Sequence, residues 1–149
     1  MIFRQLFNNP VLIASMAAWF LAQLLKVPIH YLTYRKWHWG LWFSSGGMPS
    51  SHTALLVAAS TSIGLFEGFD TALFALSVAV AMVVMYDAAG VRRQAGIQAQ
   101  RINQLITEFF SGHPISEEHL KEVLGHTPRQ VVVGFLLGIT IAIVTWLLW

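Results

Sequence analysis

The chain has 149 residues, of which 56% are hydrophobic and only 11% charged, with a net charge of +2 and a mean hydropathy of +0.60. An ordinary soluble domain carries about 25% charged residues, so this composition excludes a water-covered globule and indicates a small polytopic membrane protein of one domain. The absence of cysteine excludes disulfides and thiolate metal sites, and the nine Lys and Arg behind a pI near 9.3 read as a cytoplasmic-side, lipid-phosphate signal with no nucleic-acid partner.

MIFRQLFNNP at the start carries no signal-peptide cleavage pattern, so the first apolar segment is expected to be retained. Val11 to Leu25 is apolar except for Ser15 and Gln23, and Lys26 and Pro28 are expected to end it. His30 to Phe43, HYLTYRKWHWGLWF, crowds Trp and Tyr around Arg35 and Lys36, the pattern of a segment lying at the headgroup level. SSGGMPSSHTA follows, Ser44 to Ala54: glycines and a proline deny it regular structure until an apolar run begins. It reads as a polar loop feeding a helix, whose unpaired first N–H groups favour an anion, with His52 in the first turn.

The second span runs from about Thr53 to Phe66, and Asp70 is placed to cap the third, Thr71 to Tyr86. DAAGVRRQAGIQAQRINQLITEFFSG is polar with helical periodicity; Ile102, Leu105, Ile106 and Phe109 form one apolar stripe that Gly112 ends. Ser116-Glu117-Glu118 starts a short helix closed by Gly125, and the last span is Val131 to Trp149. Before it, Thr127 and Gln130 match a capping box with Pro128 at the first helical position, so His126 stands at a second helix N-terminus. The expected fold is all-α: a polytopic integral membrane helical bundle with about four spans, near 10–27, 53–66, 71–87 and 130–149, plus interfacial amphipathic helices and a polar segment 88–129.

Lys26, Arg35, Lys36, Arg92, Arg93, Arg101, Lys121 and Arg129 fall on one membrane side and Arg4 on the other, which makes the shared face cytoplasmic. On that face Lys26, Arg35, His52, Asp87, Arg92, Arg93 and His126 are free to converge. Two imidazoles at helix starts beside Lys and Arg suit phosphoryl transfer: one attacks phosphorus, the other protonates the departing oxygen, and the cations neutralise the equatorial oxygens.

MPSSHTA, YDAAGVRRQAGIQAQRIN and LGHTPRQVVVGFLLG, in this order, resemble the signature blocks of the type 2 phosphatidic acid phosphatases, the lipid-phosphatase and vanadium-haloperoxidase superfamily, and more closely its divergent bacterial and plastid branch. The resemblance implies His126 as the nucleophile that becomes phosphohistidine, His52 as general acid, Ser50 and Ser51 as the phosphate-cradling loop, and Lys26 as the first-motif lysine. It implies a membrane location of the bacterial inner-membrane or plastid type. The chain departs from the pattern at four places. Ser51 replaces a glycine, the first motif's arginine-proline pair is absent, with Arg35 a loose substitute, and Leu120 beside Lys121 replaces an arginine. Gln130 replaces the aspartate that orients the nucleophile. Asp87 or Glu122 are candidates to take over that orientation, and Arg92 and Arg93 to supply phosphate contacts.

Blander readings stand beside these. Gln130 is explained by the capping box alone, Asp87 by an ion pair with Arg92 or Arg93, and Gly134 with Gly138 by close helix packing. His30, His38, His113 and His119 read as interfacial or solvated; no metal or cofactor is expected. The expected function is a membrane lipid-phosphate phosphatase, with a lipid phosphate substrate and the bilayer as partners. The rival is a catalytically weak or inactive relative that binds anionic lipid or docks in a membrane protein complex, a lipid transporter is a third reading, and a homo-oligomer or larger membrane complex is among the partners considered.

Overall fold

A computed structural model describes residues 2–44, 46–109 and 125–149, the side chains of residues 2, 107 and 108 excepted. The expected turn at Gly112, the short helix from Ser116, and His113, His119, Leu120, Lys121 and Glu122 lie outside the described residues, as does Ser45. The described residues form six α-helices: α1 Ile2–Phe7, α2 Pro10–Tyr34, α3 Ser51–Glu67, α4 Ala72–Ala89, α5 Val91–Phe109 and α6 Pro128–Leu148. A 3₁₀ turn, Trp39–Phe43, sits between α2 and α3.

α2 starts where its sequence directs: the Asn9 side chain accepts from the Leu12 N–H at 3.0 Å, and Pro10 occupies a first-turn position that needs no N–H. It does not end at Lys26 and Pro28 as the sequence predicts but continues to Tyr34, giving 25 residues. Proline normally breaks a helix because it lacks the N–H that the carbonyl four residues earlier needs. Here that carbonyl belongs to Leu24, and the Trp42 indole N–H donates to it at 3.3 Å, while Gln23 Nε2 donates to the Trp42 carbonyl at 3.0 Å. The helix ends instead at Arg35, in the left-handed conformation (φ 56°), whose N–H donates to the Tyr31 carbonyl at 2.8 Å. The aromatic segment folds back on this end, with Tyr31, Trp37 and Trp39 in successive stacking contact.

Asp70 does not cap α4. Thr71 does, accepting from the Phe74 N–H at 3.2 Å while its hydroxyl donates to the Gly68 carbonyl at 2.8 Å. A threonine adjoining the first helical residue reaches both partners, whereas Asp70 lies one residue too early.

α3 is the centre of the bundle, packed against α2, α4 and α6, with α2 also touching α6. Its contact faces are made of small residues: Ala18 and Ala22 of α2 meet Ala54 and Ala58 of α3, flanked by Leu137 and Ile141 of α6. Lipid chains are as apolar as side chains, so helices in a bilayer associate through close backbone approach more than through hydrophobic transfer. At Gly134 and Gly138 that approach is at its limit, since an added Cβ would lie 2.5 Å from the Ser50 carbonyl oxygen and 2.7 Å from that of Ala54. Three helical runs, Pro10–Tyr34, Ala72–Ile106 (α4 and most of α5) and Pro128–Leu148, are long and apolar enough to cross a membrane. α3 has 17 residues and lies inside the bundle. A helical membrane bundle is the fold.

Candidate functional site

The polar loop and the starts of α3 and α6 are bound to one another. The Ser50 N–H donates to the Gln130 carbonyl at 3.0 Å, and the His126 N–H donates to the Ala88 carbonyl, at the end of α4, at 2.9 Å. Gly125 lies flat against the Arg92 and Arg93 backbone, where a side chain would collide with main-chain atoms. Thus the last residues before α6 rest on the α4–α5 junction, while the first residues of α6 rest on the loop before α3. The Met48–Pro49 peptide in that loop is cis.

Lys26 enters from α2. It is 1% exposed, and its ammonium donates to the Ser44 carbonyl at 2.7 Å. Its methylenes pass under Gly47, whose φ of +89° excludes most side chains on backbone grounds. Ser50 is fully buried and caps α3: its hydroxyl oxygen accepts from the Thr53 N–H at 3.4 Å and the Thr53 hydroxyl at 3.0 Å. Ser51 is buried beside it, and His52 is exposed on the first turn of α3.

His126 is 3% exposed, and neither ring nitrogen has a hydrogen-bond partner among the described residues. A buried, unpaired polar atom costs about 1–3 kcal/mol, so both ring nitrogens favour gaining a hydrogen-bond partner. Burial pushes its pKa down to about 4, and the positive charges of Lys26, His52 and Arg92 act in the same direction. The ring is therefore neutral at pH 7, with a lone pair free, in a field that attracts anions.

The charges of Lys26, His52 and Arg92 bear on His126, and Ser50, with Ser51 buried beside it, is tied to the start of α6 through the Gln130 carbonyl. Arg35 is the exposed C-cap of α2, and Arg93 meets the segment before α6 through its backbone, its side chain being exposed. Asp87 pairs with Arg92, its Oδ2 accepting from Nη2 at 3.1 Å and Nε at 3.3 Å, which holds the guanidinium rather than the imidazole. Gln130 Oε1 accepts from the Thr127 N–H at 2.9 Å, the capping role, and does not reach a His126 nitrogen. Among the described residues no three His, Asp or Glu side chains form a metal-ligand group.

Beside this cluster lies a cavity of about 780 Å³ between α2 and α6, with Lys26, Gly47, Met48 and Gln130 on the side nearest the loop. Sequence reasoning did not find it, because its walls come from the stretch of α2 beyond Pro28, where the helix was expected to stop. Arg129, on the α6 wall, reads in the sequence only as one more cytoplasmic-side cation.

Residues 7–141 match the family described as the divergent PAP2 family. The chain is 42% identical over 151 residues to the uncharacterized membrane protein YuiD of Bacillus subtilis (strain 168), covering 94% of this chain and 96% of that one. No solved structure matches. The relative's membrane location agrees with the three span-competent helices of an integral membrane protein.

Proposed function

The chain belongs to the divergent PAP2 family, and on that footing we propose that it hydrolyses a lipid phosphate monoester, or a diphosphate, at the cytoplasmic interface through a phosphohistidine. The observation that carries this reading is the buried, neutral His126 with both ring nitrogens unpartnered among the described residues, surrounded by Lys26, His52 and Arg92. A His126 nitrogen attacks phosphorus; the N–P bond forms as the ester P–O bond breaks, and His52 gives its proton to the departing alkoxide. Water then attacks phosphorus, His52 takes back a proton, and inorganic phosphate leaves with the His126 ring restored. Lys26, Arg92 and the Ser50–Ser51 helix start offset the charge on the non-bridging oxygens. Phosphatidic acid, phosphatidylglycerophosphate and polyprenyl phosphates fit this chemistry. The cation asymmetry along the chain supports the cytoplasmic side.

The test is phosphate release from a panel of such lipids in micelles, with acid quenching to trap labelled protein. Wild type is expected to release phosphate and carry an acid-labile label, and His126→Ala to do neither. Full activity in that variant removes His126 from the reaction.

A second reading has its own observation. With Asp87 on Arg92 and Gln130 on Thr127, His126 has no carboxylate partner among the described residues. Loss of such a partner in a serine-protease triad costs about 10⁴ in turnover. On this reading the pocket holds an anionic lipid, or docks in a larger complex, without chemistry. Tight lipid-phosphate binding with no hydrolysis at any pH selects it.

A further inference from the structure

Among the described helices α5 contacts only α4. The side of α5 that carries Gly96 and Asn103 is buried. Val91, Ala95, Ile102, Leu105 and Phe109 are exposed, and their spacing of three, four or seven residues puts them on one face together with Gln98. The sequence shows this stripe only from Ile102 onward; the structure carries it back to Val91 and shows that it is the free side. The 18 residues of α4 rise about 27 Å, close to the thickness of a hydrocarbon core, so α5 lies beyond the span. Between the two helices Gly90 has φ −107° and ψ −88°, which are not helical values, so α5 leaves α4 in a direction of its own. An apolar stripe that long, left uncovered by its own chain, marks an interaction surface.

We propose that α5 lies along the bilayer surface, with its exposed stripe among the lipid chains and Arg101, on the edge of that stripe, at anionic headgroups. The bilayer reaches this place through α4, whose exposed Tyr86 stands five residues before Val91 and favours the headgroup level. Charge is complementary as well, since the sequence of α5 holds three arginines against one glutamate. A second copy of the chain is the competing occupant, because alternate steps of three and four residues also build coiled coils. The flanks of the stripe favour lipid. Gln94, Ala99, Arg101 and Ile106 stand beside it and form no opposite-charge pairs, and Ala99 and Ile106 widen the apolar face beyond a two-residue seam.

The chain has no cysteine, so each single substitution places one nitroxide label. Ala95→Cys, Ile102→Cys and Leu105→Cys put it on the stripe, and Arg93→Cys and Gln104→Cys on the polar side; all five side chains are exposed, so the core is left untouched. The full-length protein is reconstituted in vesicles of phosphatidylcholine and phosphatidylglycerol, and label relaxation is measured with oxygen, which enters lipid, and with a nickel chelate, which stays in water. The oxygen-to-nickel ratio is expected to be several-fold higher for the stripe labels than for the polar-side labels. Equal ratios on the two sides overturn the proposal. So does shielding of the stripe from both reagents, with dipolar broadening that unlabelled protein dilutes away, which is the mark of a second copy. Adding Arg101→Gln to the Leu105 label, or omitting phosphatidylglycerol, should weaken docking about fivefold, read as growth of the mobile spectral component. No growth in either case overturns the headgroup assignment.

Discussion

The two helix starts that meet at the site are built from similar residues and differ in almost every physical respect. At α3 the cap is buried: Ser50 is sealed from solvent, its hydroxyl is shared between two Thr53 hydrogens, and the histidine two residues on is exposed. At α6 the cap is exposed, and the histidine one residue before it is buried. A side chain in the first turn takes its direction from the helix. A residue ahead of the cap takes it from whatever the incoming backbone rests on, here the Ala88 carbonyl and the Arg92–Arg93 main chain. The first arrangement leaves a ring able to exchange protons with solvent. The second holds a neutral ring among cations, so position relative to the cap sets the surroundings of the two rings apart.

The largest effect expected from this contrast is kinetic. His52→Gln should slow hydrolysis of an alkyl phosphate by about 10²–10⁴, the range for a lost general acid. On p-nitrophenyl phosphate, whose leaving group departs without a proton, most of that loss should vanish. His126→Gln should stay inactive on both. Rescue of His126→Gln by the better leaving group, or none for His52→Gln, would reverse the two roles.

The next effect is in stability against pH. His126 has a folded pKa of about 4, below the ordinary histidine value of 6.5. Between these values the unfolded chain binds the proton that the folded chain refuses, so stability is full above pH 6.5 and falls as the pH drops towards 4. The loss across that window is up to about 3 kcal/mol, reduced by whatever solvent screens the ring. Denaturation midpoints in micelles should show the slope in wild type and lose it in His126→Gln. An identical slope in the variant would assign it to other groups.

Much of this contrast was legible before the fold was known. Thr127 and Gln130 announced the α6 start, the SSGG and PSSH residues the α3 start, and Gly134 with Gly138 the close approach that joins the two helices. These are local signals, carried by residues three or four apart. What the sequence concealed depends on partners far along the chain. Nothing near Pro28 says that Trp42 will supply the hydrogen bond that lets α2 run on, and the cavity walls depend on that extension. Asp87 had Arg92 and Arg93 as local rivals, and only the folded α4–α5 junction gives it to Arg92. The Asp70 error was smaller: two adjacent capping residues competed, and the one nearer the helix prevailed.

The smallest effect isolates the caps themselves. Ser50→Ala removes an acceptor in a place water does not reach, leaving the Thr53 hydroxyl, fully buried, with nothing to donate to. The expected cost is about 1–2 kcal/mol, the upper range for a lost N-cap, because desolvation is not recovered. Gln130→Ala frees the Thr127 N–H, but Thr127 is exposed and water replaces the amide, so about 0.5 kcal/mol is expected. Urea midpoints of the two variants in the same micelles rank them directly. If Gln130→Ala proves the costlier, the amide holds more than a cap, and the segment carrying His126 depends on it after all.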